Sequence, residues 1–162
     1  MIHYCPHCWK EIPAHVERCP HCGEATDDSD LPFVDRLLAT LRHPEPTRAG
    51  LAIDLLAERL REPRAVEPLI ELLATTHDVA LLKQAAHGLG VLGNQRAIPA
   101  LARLLANADA PFVARREAAF ALGKIGGKEA ESALSLALDD PRPSVAEAAW
   151  QAFTRLTQDR FT

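Results

Sequence analysis

The sequence predicts an all-α protein, a solenoid of about four antiparallel helix pairs with a small cysteine-rich unit at its N-terminus. Three observations lead there. Segments beyond residue 31 recur at intervals of 31 to 33 residues, their apolar positions fall at helical spacing, and all four cysteines of the 162-residue chain lie between positions 5 and 22. Apolar residues make up 48% of the chain and aromatics only 5%. The apolar content is therefore mostly Ala and Leu, which favours close-packed helices over a sheet.

The N-terminal unit holds Cys5-Pro6-His7-Cys8 and, after ten intervening residues, Cys19-Pro20-His21-Cys22. Four thiolates so spaced can close a tetrahedron around zinc, and the same four sulfurs can also take iron. The rival redox reading needs a single CxxC at a helix start inside a thioredoxin-like unit. Too little chain precedes the helical region for that, and Pro13 and the second CxxC interrupt the one candidate helix. Paired disulfides would need an oxidising compartment. His7 and His21 are expected to be exposed turn residues beside a filled sulfur site, and His3 and His15 give no stronger signal.

CPHCWKEIPAHVERCPHCG resembles the short zinc ribbons of bacterial proteins, with their pattern CPxCGxxIxxxxxxCPxCG. The resemblance covers residues 5–23 and implies that Cys5, Cys8, Cys19 and Cys22 hold one structural zinc. Gly23 keeps the glycine of that pattern, but Trp9 stands where the first one is usual. If position 9 needs a positive backbone angle, Trp9 carries strain of order 1 kcal/mol; otherwise the first knuckle is shaped differently and Trp9 packs over the ribbon or a partner. A four-cysteine site has no open position for water, so catalysis by this metal is not expected.

Residues 25–32 form an acidic linker that separates the ribbon, 1–24, from the solenoid, 33–162. The linker is expected to end in a helix cap near Asp30 with Pro32 in the first turn, and it permits either a docked or a free ribbon. Beyond it, RAVEPLIELLA (64–74) aligns with RAIPALARLLA (96–106), and KQAAHGLGVLG (83–93) with REAAFALGKIG (116–126). Each repeat reads as a Leu-rich helix, a loop holding Pro, Asp or Asn, and an Ala-Leu helix. The glycines Gly90, Gly93, Gly123, Gly126 and Gly127 at the end of the second helix serve tight packing and left-handed caps.

This pattern resembles HEAT repeats of the phycobilisome-lyase-like type, over residues 33–157 and best over 64–127. The outer copies depart from it, with Ala57-Glu58 near the first missing Gly pair and Phe153-Thr154 where Leu-Gly is usual, as terminal caps do. The resemblance implies a curved array with the second helices lining an inner binding face.

Aligned on their Ala-Leu steps, the copies put Asp54, His87, Phe120 and Gln151 at one variable position of that face. Lys83, Val91, Arg115, Arg116, Lys124 and Glu147 are expected beside them, with Trp9 as a further partner-binding candidate. Phe120 is either an exposed anchor or a gap filler. Trp150 either caps the last repeat or marks where its open end meets another protein.

No catalytic constellation or small-molecule site is evident, so the chain reads as a non-catalytic adaptor or assembly subunit that grips another protein. The alternatives are a bilin-lyase-like or enzyme-accessory role, which the family resemblance suggests, and nucleic-acid binding. The formal charge of −4 lies wholly in residues 1–30, with two basic and six acidic residues against sixteen of each sign beyond. That balance argues against a phosphate-backbone partner. With no leader-like start and no membrane-length apolar run, a cytoplasmic protein is expected.

Overall fold

The computed structural model describes residues 3–14, 16–27 and 31–158. At the N-terminus, strands β1 (His3–Tyr4) and β2 (Glu11–Ile12) pair antiparallel, with His3 opposite Ile12 and Tyr4 opposite Glu11. A second hairpin follows, with a bridge between Arg18 and Ala25, and the Thr26 N–H donates to the Glu17 carbonyl at 3.1 Å. Among the described residues, the core of this N-terminal unit is Cys5, Ile12 and Cys19, with Cys8 and Val16 against them. So little apolar surface cannot offset the entropy of ordering the chain.

Among the described residues, eight helices then form four antiparallel pairs, as the periodicity predicts: α1 (Phe33–Thr40) with α2 (Pro46–Asp54), α3 (Val66–Thr75) with α4 (Val79–Leu92), α5 (Ile98–Ala106) with α6 (Phe112–Ile125), and α7 (Lys128–Leu136) with α8 (Pro143–Gln158). Proline opens α2 and α8, where its missing N–H is no loss. Asp78 caps α4 by accepting the Leu81 N–H at 2.9 Å. The cap expected near Asp30 lies outside the described residues, and Pro32 directly precedes α1.

The second helices end as their glycines dictate. Gly93 closes α4 at φ 67° and Gly126 closes α6 at φ 74°, angles that only glycine adopts freely. The first pair has no such glycine. There α2 widens into a π turn over Leu55–Arg59, and Arg61 takes φ 51°, its guanidinium donating to the Val91 carbonyl at 2.8 Å.

One apolar core runs the length of the stack, through fully buried Ile53, Leu69, Leu89, Leu101, Leu122 and Leu134. Each pair buries its stripe against its neighbours, so stability accrues from the interfaces. The second helices pack closely: a Cβ on Gly90 would lie 2.8 Å from the Ala121 Cα, and one on Gly123 2.7 Å from the Ala152 Cβ. Among the first helices, clefts of about 260 Å³ lie between α3 and α5 and about 490 Å³ between α5 and α7. The close glycine contacts make α4, α6 and α8 a tightly packed layer, which with α2 is the one expected to line the inner face.

One expected surface residue is turned inward. Arg115 is 4% exposed, its Nε donating to the Leu105 carbonyl at 2.9 Å and its terminal nitrogens to the Asp140 carboxylate. It therefore ties the α7–α8 loop to the third pair instead of facing a partner. Buried Asp140 is its mate. Among the described residues, no helix is long and apolar enough to cross a membrane.

Candidate functional site

The two CxxC turns are built alike. Cys5 N–H donates to the Lys10 carbonyl and Trp9 N–H to the Cys5 carbonyl, at 3.0 and 2.9 Å; Cys19 N–H and Gly23 N–H repeat this with Glu24 and Cys19, at 2.8 and 2.9 Å. In each turn the histidine amide points at the first sulfur, His7 N–H to Cys5 Sγ and His21 N–H to Cys19 Sγ, both at 3.4 Å. The histidine side chains themselves are exposed, His21 Nε2 lying 3.2 Å from the Glu11 carbonyl.

This folding brings Cys5, Cys8, Cys19 and Cys22 together, their sulfurs all within 4.8 Å of one another. Cys5 and Cys22 are 3.6 Å apart and Cys8 and Cys19 3.7 Å. Four ligands at a metal–sulfur distance of about 2.3 Å form a tetrahedron with edges of about 3.8 Å, so the set fits a tetrahedral metal. Burial acts against the Cys19 thiolate, but the amides of His21 and Cys22 and the neighbouring thiols outweigh it and lower the thiol to about 6. Cys22 is raised to about 12: the Glu24 amide favours its thiolate, and burial together with the other three sulfurs opposes it more strongly. Crowded sulfurs resist ionising together, and a central cation removes that penalty.

Trp9 has φ 55°, so its turn keeps the left-handed shape of its Gly23 counterpart and the tryptophan carries the strain. The reason lies on the solenoid of its own chain. The indole Nε1 donates to the Ala39 carbonyl at 2.6 Å, near the end of α1, and the ring packs on His43 at a tilt of 55° with centroids 4.5 Å apart. Tyr4 meets the same imidazole edge-on at 5.6 Å. The ribbon is docked, and Trp9 and His43 are the joint.

His43 is 6% exposed. Its Nδ1 accepts the Glu45 N–H at 2.9 Å, while Nε2 is buried without a hydrogen-bond partner. Burial, aided by the charge of Arg48, lowers its pKa, which favours the neutral ring against the aromatic side chains. The repeat register adds meaning to its place. The α3–α5 cleft shows Ala100, Arg103, Leu104 and Asn107 of α5 facing the preceding pair; the equivalent positions of α1 are Arg36, Ala39, Thr40 and His43. The ribbon thus sits where a further pair would stack.

Among the described residues, the last pair presents an exposed aromatic at the other end. Trp150 is 60% exposed, whereas Ile53, Ala86 and Ala119, at the same position of the preceding pairs, are at 1%, 0% and 0%.

On the inner layer, Asp54, His87, Phe120 and Gln151 occupy equivalent places on α2, α4, α6 and α8. His87 is held from both sides, Nδ1 2.7 Å from Glu117 and Nε2 3.1 Å from Glu58. Phe120 packs partly on the core and also walls two clefts, so it fills and presents at once. Lys83 and Lys124 are exposed and Arg116 is half-buried. Sequence reasoning missed Glu58, Glu117, Arg155 and His43. The first and third were within reach, because the same alignment moved on by one helical turn yields the row Glu58, Val91, Lys124, Arg155.

Comparison with known proteins agrees with this architecture. The HEAT-repeat family profile matches residues 34–115, and that of the PBS lyase HEAT-like repeat matches 114–140. Among solved structures, human deoxyhypusine hydroxylase in complex with glycerol is 25% identical with a TM-score of 0.66, over 83% of this chain and 48% of that one. The chain thus spans about half the hydroxylase's length. The complex of CpcE and CpcF of phycocyanin lyase from Nostoc sp. PCC7120 superposes with a TM-score of 0.52 at 24% identity, over 92% of this chain and 72% of that one. Curated proteins give no significant match. With the HEAT-repeat profile spanning half its length and four stacked helix pairs to match, the chain belongs to the HEAT-repeat family.

Proposed function

We propose that the protein is a non-catalytic, cytoplasmic adaptor whose inner face grips another protein, capped at its N-terminal end by a ribbon that holds one structural zinc. The observation that carries this reading is the row of Asp54, His87, Phe120 and Gln151, one residue from each second helix, with two clefts beside its aromatic member. Four thiols fill a tetrahedral metal's coordination sphere, and both ring nitrogens of His87 are engaged by carboxylates. Neither arrangement offers an open metal position or a free base.

The test is affinity purification from native cells with the wild type and with His87→Ala plus Phe120→Ala. A partner recovered by the first and lost by the second, at unchanged helicity, supports the reading; a partner retained by the variant sinks it. Metal analysis of the purified chain is expected to give one zinc.

A second reading, an accessory subunit of a lyase-type complex acting on a protein, is favoured by the PBS lyase HEAT-like match over 114–140 and by the likeness to CpcE and CpcF. Mass spectrometry of the recovered partner separates the two readings. A covalent group added or removed only when this chain is present supports the second.

A further inference from the structure

The inner face has a polarity along the stack. In the row Asp54, His87, Phe120, Gln151 and in the row Glu58, Val91, Lys124, Arg155, the acids stand at the N-terminal end and the cations at the C-terminal end. Where the acidic half meets the basic one, the His87 ring is held between the carboxylates of Glu58 and Glu117.

The basic half is not balanced. Among the described residues, no carboxylate lies within ion-pair distance of Arg116, Lys124 or Arg155. Arg116 Nε is moreover buried without a hydrogen-bond partner. These three cations surround two clefts on either side of Phe120. The larger, about 280 Å³, has Lys124 and Arg155 on its wall, and the other, about 230 Å³, has Arg116. The acids at the clefts are Glu117, bound to His87, and Glu147, whose carboxylate accepts from Gln151 at 3.3 Å.

We propose that the groove between α6 and α8 docks an acidic segment of a partner protein, its carboxylates meeting Arg116, Lys124 and Arg155 while an apolar side chain lies against Phe120. Charge complementarity selects the occupant: unpaired cations converge on an apolar wall, and guanidinium groups in particular favour planar carboxylates. A phosphate backbone would want a longer basic track than three residues on a chain of formal charge −4. The inference rests on the inner face being the partner surface, and adds where on that face the contact falls and what chemistry it takes.

The probe is a random dodecapeptide display library panned against the full chain and against Lys124→Glu plus Arg155→Glu, two exposed positions whose reversal leaves the core intact. Wild type is expected to enrich acidic peptides that carry one aliphatic or aromatic residue. In fluorescence anisotropy at low salt, the best of them is expected to bind the charge-reversed variant about tenfold more weakly, and the variant is expected to enrich basic peptides instead. A reversal of preference cannot come from misfolding.

Enrichment of neutral peptides that still need Phe120 would overturn the acidic assignment and leave the inner-face reading standing. Equal binding by both proteins, or no enrichment at all, would also overturn it. Tighter binding of an oligothymidylate than of any peptide would reassign the cations to phosphate.

Discussion

Replacing Trp9 with Ala tests the joint between ribbon and solenoid. The substitution deletes the hydrogen bond to the Ala39 carbonyl, worth about 1 kcal/mol net, and the tilted ring contact with His43, worth about another 1 kcal/mol. It also re-exposes roughly 100 Å² of apolar surface, about 2.5 kcal/mol at 25 cal/mol per Å². Area and ring contact overlap, and part of the area stays covered in the undocked state, so the docking loss is about 3 kcal/mol. Hydrogen exchange of α1 amides is the assay. If α1 opens by undocking, its exchange accelerates about 100-fold.

Trp9→Gly is the companion variant. It loses the same contacts yet relieves the positive-φ strain, so its ribbon holds metal at least as firmly as the wild type while α1 exchanges just as fast. Unchanged α1 exchange in both variants, with metal still bound, would refute the joint. Loss of metal from Trp9→Ala alone would show instead that the tryptophan supports the ribbon itself.

Three further outcomes are expected. Arg115→Ala or Asp140→Ala leaves one buried charge unpaired and should cost about 3–5 kcal/mol in denaturant unfolding; a loss under 1 kcal/mol would mean that the α7–α8 loop is not anchored there. The lowered pKa of His43 means that the folded state binds fewer protons than the unfolded one. Stability is therefore full above the ordinary imidazole value of about 6.5 and falls as pH drops through it, and subtracting the pH profile of His43→Phe from that of the wild type should isolate this slope from proton competition at the cysteines. Chelation, or Cys5→Ser plus Cys8→Ser, should unfold the ribbon and speed α1 exchange while the circular dichroism of the helices survives; collapse of helicity would mean that the solenoid depends on its cap.

What the sequence disclosed follows from what repeats in it. Helix pairs, their glycine ends and the cysteine turns are each written twice or more, so their periodicity is legible without knowing where anything packs. Single-copy contacts are not. Arg115 looks like any charge on a helix face until Asp140 arrives from the following loop, a contact 25 residues away in the chain. His43 looks like a loop histidine, because nothing local shows that an indole from residue 9 will cover it. The π turn at Leu55–Arg59 is likewise invisible, since its residues fit an ordinary helix. Trp9 lies between these cases: its departure from the ribbon pattern flagged a cost, and only the solenoid supplied the compensation.

The unlike ends of the stack also constrain how copies of the chain can meet. Head-to-tail growth would need the α1 face at Ala39 and His43 to receive the Trp150 face of a neighbour, and the ribbon already occupies it. The docked ribbon therefore blocks stacking of a neighbour on that face.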